Sequence, residues 1–117
     1  MPKLLAPSPA PTSAITAALT KTLDARAGIY AVRNRSNGKV FVVAHTYDQR
    51  DHWLDFQTLL DAGGCVQHKH IQAAWKKYGR NYFDCWPLID CPMVQLEQKR
   101  VEFIRAFESD DPKRGYN

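Results

Sequence analysis

Two short runs of β-branched and aromatic residues, Ile29 to Asn34 and Lys39 to Ala44, flank Ser36-Asn37-Gly38. No other feature of the 117-residue chain constrains its fold as much. Asn and Gly accept positive φ at low cost, so an Asn-Gly pair between two such runs predicts a tight hairpin. The first two strands are then antiparallel neighbours.

The remaining elements follow from periodicity and breakers. Asp48 to Asp61 reads as a helix with Trp53, Phe56, Leu59 and Leu60 inward, stopped by Gly63-Gly64. A second helix is expected from His68 to Tyr78, stopped by Gly79. Tyr82 to Asp90 alternates as a third strand, with Pro87 assigning its far part to an edge or a bulge. The last helix starts near Pro92 and sets Met93, Leu96, Val101, Ile104 and Phe107 along one face. Upstream, residues 1–12 carry four of the seven prolines and read as an extended tail. Ser13 is a good N-cap for a short amphipathic helix to Arg26, with Ile15, Ala18, Leu19 and Leu23 inward. The expected division is a tail over 1–12, a helix over 13–27 and a domain over 28–117. The expected class is α+β, a small three-stranded antiparallel sheet flanked by helices.

With 44% hydrophobic residues the chain can bury one core but hardly two. No apolar run nears the roughly 20 residues that span a bilayer, and Leu4-Leu5-Ala6 is too short for a signal-peptide core. A soluble, cytoplasmic protein without membrane contact is expected. Cys65, Cys85 and Cys91 are odd in number and show no paired spacing, which fits free thiols and gives no zinc-binding pattern. A net charge of +4 and a pI near 9.1 favour anionic partners, nucleic acid among them.

Four segments in order carry a resemblance over Gly28 to Asn117. They are Gly28-Ile29-Tyr30; Asn37-Gly38-Lys39-Val40-Phe41-Val42; Ile71 to Gly79 with Phe83 after it; and Phe103-Ile104 with Gly115-Tyr116-Asn117. Together they resemble the GIY-YIG nuclease superfamily, whose three-stranded sheet also suits the order of elements. The resemblance implies a site built from two motif tyrosines, a helix arginine, a metal-holding glutamate and an asparagine. Phosphodiester hydrolysis there needs an activated water, a divalent cation and donors for the phosphate.

Carried onto this sequence, the resemblance gives Tyr30, Arg50 and Asn117 as catalytic positions, with Asp51 taking the arginine's place if no gap is allowed. Phe41 and Val43 stand where the second motif has tyrosine and glycine, so a hydroxyl is lost. Arg100 stands where the family has its metal-holding glutamate, which opposes a divalent cation; Glu97, one turn earlier, is the substitute ligand for Mg²⁺ or Mn²⁺ if the site is active. Lys69, His70, Lys76, Lys77 and Arg80 make the middle helix the most basic part of the domain and, with Arg100, the expected nucleic-acid contact. The expectation is a nucleic-acid-binding protein, DNA above all, whose catalysis has degenerated. A working metal-dependent endonuclease with a rearranged site and a phage or plasmid factor acting on a protein partner are the alternatives.

Overall fold

The computed structural model describes residues 27–117; the expected tail and the helix from Ser13 to Arg26 lie outside the described residues. Strand β1 (Gly28–Asn34) is central, with β2 (Val40–His45) on one side and β3 (Phe83–Asp90) on the other, both pairings antiparallel. Helices α1 (Gln49–Asp61), α2 (Lys69–Tyr78) and α3 (Leu96–Phe107) follow in chain order. Single 3-10 turns occupy Arg80–Tyr82 and Met93–Gln95.

Local chemistry sets the boundaries where the sequence places them, to within a few residues. Gly38 takes φ 76° in the hairpin, where Asn34 and Lys39 close the loop through a 2.9 Å backbone bond. The Asp48 carboxylate caps α1 by accepting from the backbone N–H of Arg50 and Asp51 at 3.0 and 3.2 Å. At the other end Gly63 turns left-handed at φ 72°, and Gly64 N–H reaches back to the Leu59 carbonyl. On β3, Ile89 pairs with Ile29 while Pro87 pairs with Tyr30, so β3 carries one extra residue at Pro87-Leu88. Pro87 has no N–H to give a ladder, and it lies on an edge strand at this bulge.

Because β1 is central, its alternating side chains feed two cores. Tyr30 and Val32, with Phe41 and Val43 from β2, face α1 and α2 and meet Phe56, Leu60, Ile71, Ala74 and Trp75. Ile29 and Ala31, with Val40 and Val42, face α3 and meet Leu96, Phe103, Ile104 and Phe107. One inward assignment needs correction and one residue is added. Leu59 is expected inside but is 43% exposed, because Phe56 and Leu60, with Trp53 packed beside them, take the arc of α1 that meets the sheet. Phe103 joins the α3 face beside Ile104, since the helix lies over two strands and a wider arc makes contact.

The segment after α3 returns to the sheet. Val40 forms a parallel bridge with Gly115, through bonds from Val40 N–H to the Arg114 carbonyl and from Tyr116 N–H to the Val40 carbonyl. Gly115 is required there, because a Cβ would collide with the Ser109 backbone. Tyr116 packs into the first core, and its hydroxyl accepts a 3.0 Å bond from the fully buried Asn34 amide.

Candidate nucleic-acid interface

One cavity of about 610 Å³ opens where β2, α1, the Gly64–His68 loop and α3 converge. Phe41, Val43, Phe56 and Leu59 supply apolar wall, Cys65, Val66, Gln67 and His68 come from the loop, His52 from α1, and Glu97 and Arg100 from α3. Phe41 is 2% exposed; it stacks on Phe56 at 5.8 Å and meets the His68 ring edge-on at 5.0 Å. The ring of Phe41 therefore does a core job and presents no donor or acceptor. Val43 is likewise buried, cross-strand from Tyr30.

Tyr30 lies behind this wall, fully buried, with its hydroxyl 2.7 Å from His52 Nδ1. Burial pushes the phenol well above the ordinary tyrosine value, and Cys85 and Tyr47 add to the shift. Burial likewise lowers the His52 pKa, helped by His45 and opposed by Asp55. A protonated phenol beside a neutral imidazole assigns the bond as Tyr30 O–H donating to Nδ1, which leaves the His52 proton on Nε2. Tyr30 acts on the cavity only through His52.

The α3 residues form the most polar wall. Arg100 grips both Glu97 oxygens, Nε to Oε1 at 2.9 Å and an Nη to Oε2 at 2.7 Å. That hydrogen-bonded guanidinium holds the Glu97 carboxyl below the usual carboxylate range. Burial and the nearby Arg100 charge together lower the His68 pKa.

This donor set does not fit a divalent cation. Both Glu97 oxygens already serve Arg100, a fixed positive charge stands beside them, and no group of three or more metal-ligating side chains occurs among the described residues.

The structure distributes the sequence-predicted residues over four places. Glu97 and Arg100 reach the cavity, and Tyr30 touches it through His52. Arg50 is exposed in the first turn of α1 and is absent from the cavity wall, as is Asp51; two residues beyond Arg50, His52 occupies the wall instead. Asn117 closes the β2 edge: its Oδ1 accepts from Val42 N–H at 2.7 Å and from Ser109 Oγ at 2.7 Å, and its Nδ2 donates to the Val42 carbonyl at 3.0 Å. Every polar atom of its amide group is thus engaged in structure. Lys69, His70, Lys76, Lys77 and Arg80 are all exposed, with Arg80 paired to Asp61 at 3.2 Å and the rest on the outer side of α2 or its ends. Gln67 was not singled out from sequence, and nothing local joins it to His52 and His68, because their convergence depends on how α1 and the loop fold over β2.

No family model matches the sequence, and no curated protein matches it. Solved structures do match. The catalytic domain of the homing endonuclease I-TevI is similar at 28% identity over 79% of this chain and 97% of that one, with a TM-score of 0.69. A glutamate-to-alanine mutant of the catalytic domain of the intron endonuclease I-TevI is similar at 26% identity over 79% of this chain and 92% of that one, with a TM-score of 0.70. In motif and in fold alike the chain thus resembles the GIY-YIG nuclease superfamily, and residues 27–117 have the fold of its catalytic domain.

Proposed function

We propose that this protein binds nucleic acid, DNA above all, on a nuclease frame that no longer carries out metal-dependent hydrolysis. The observation that carries the reading is the Glu97–Arg100 pair. GIY-YIG nucleases are in general divalent-metal dependent, and the position that resembles their metal ligand holds an arginine locked to the nearest carboxylate. An arginine in a phosphate site attracts phosphate directly and needs no ion to do so. Further support comes from the exposed lysines of α2, whose N-cap is the cavity residue His68. A cytoplasmic setting suits the three free cysteines, and no helix among the described residues is long and apolar enough to cross a membrane.

The competing reading, a working nuclease with a rearranged site, draws on the half-buried Tyr30–His52 pair beside the cavity. One experiment separates them. Supercoiled and branched DNA is incubated with the protein in Mg²⁺ or Mn²⁺, and retention of the same DNA is followed at rising salt. The expected result is salt-sensitive retention without nicking. Metal-dependent nicking that disappears in both Tyr30→Phe and Glu97→Ala would overturn the proposal and establish a nuclease. Absence of both retention and nicking would also overturn it and leave a protein partner as the function to pursue.

A further inference from the structure

Building on that reading, we infer that the cavity accepts a single nucleotide unit, its phosphate on Arg100 and its base against the apolar side of the mouth. The unit is a nucleoside 5′-monophosphate, free or displaced from a strand.

The size, lining and charge of the cavity carry the inference. Its 610 Å³ falls inside the range of about 300–1,000 Å³ typical of small-molecule pockets and far exceeds what a phosphate group alone would fill. Most of the wall is apolar, with a few polar groups of distinct type: neutral His52 and His68, Gln67, and the Arg100 guanidinium. That mixture suits a planar, hydrogen-bonding ring attached to an anion.

Two exposed apolar side chains also lie on this wall. Val66 is 74% exposed and Leu59 43%. Scattered exposed apolar residues are ordinary, but two on one cavity that His68 also lines make a surface that a base can cover.

Glu97 has a defined part in this arrangement. Its side chain is 73% exposed, whereas that of Arg100 is 31% exposed, so the carboxylate sits on the outer side of the guanidinium and holds it as a phosphate would. An incoming phosphate must displace this resident anion, and removing the anion should strengthen binding.

The test is calorimetric titration of the full-length chain with the four nucleoside 5′-monophosphates, the matching nucleosides and inorganic phosphate. Monophosphates are expected to bind more tightly than either component, Glu97→Gln to tighten them roughly tenfold, and Arg100→Gln to weaken them by a similar factor. Val66→Ser, at a position too exposed to threaten the fold, should weaken the monophosphates and leave inorganic phosphate unchanged. Equal affinity for phosphate and monophosphates would overturn the base contact. Failure of every monophosphate to bind, with oligonucleotide still retained, would overturn the nucleotide cavity and spare the nucleic-acid reading. Loss of oligonucleotide retention as well would overturn both.

Discussion

Tyr30 and His52, far apart in sequence, are brought together in the protonation states that their hydrogen bond needs. Each is shifted by burial toward its neutral form, and neutral forms are what an O–H to Nδ1 bond requires. Tyr30→Phe removes the donor and strands a half-buried acceptor, which should cost about 1 kcal/mol, measured by urea denaturation at neutral pH. The His52 shift has a pH signature. Its pKa is depressed on folding, so the neutral ring is favoured by the native state. Above the unfolded value of about 6.5 the ring is neutral in both states and this contribution is complete. Below it the unfolded chain takes up the proton first, and stability declines as pH falls toward the depressed native value. His68 is shifted in the same direction. The melting temperature should therefore fall between pH 7 and pH 5, less steeply in His52→Gln and least in the double variant with His68→Gln. Parallel curves for all three proteins would contradict the assignment.

At the scale of elements, what could be read from sequence was what neighbours in sequence decide. Gly38, Gly63 and Gly79 stop or turn the chain by their own φ, and Asp48 caps α1 with its own carboxylate. Pro87 fixes a bulge because it lacks an N–H. The clasp formed by Asn117 could not be read this way, because its partners, Val42 and Ser109, come from β2 and from the end of α3. Beside the catalytic role that the resemblance implies for Asn117, the geometry gives it the work of an extra strand: its amide bonds both backbone groups of Val42 on the open side of β2. Edge strands need such covering to avoid pairing with other chains. Asn117→Ala should lower stability by about 1–3 kcal/mol, since Val42 is 1% exposed and its N–H and carbonyl would lose their partner. Chemical denaturation gives the energy, and light scattering should show increased self-association. A variant with wild-type stability would mean that water replaces the amide without loss.

For the whole molecule, the cavity was only half visible in sequence. Glu97 and Arg100 lie one helical turn apart, so their adjacency was readable, but their pairing across both carboxylate oxygens required side-chain geometry. His52, His68 and Val66 could not be joined to them without the fold. The basic face of α2 was readable as composition, and the structure sorts its members. Arg80 is held by Asp61, while Lys69, Lys76 and Lys77 make no salt bridge among the described residues. Ile71, Ala74 and Trp75 bury the opposite side of the helix, which leaves these lysines to solvent and to any polyanion. If they neutralise phosphates, each should release condensed counterions and add roughly 1 to the slope of log affinity against log salt. The triple variant Lys69→Gln, Lys76→Gln, Lys77→Gln should then reduce that slope by up to about 3 on duplex DNA without altering the thermal transition. Arg80→Gln, which breaks an internal pair, should change it little. An unchanged slope in the triple variant would move the DNA contact off α2 and leave Arg100 and the cavity mouth as its principal anchor.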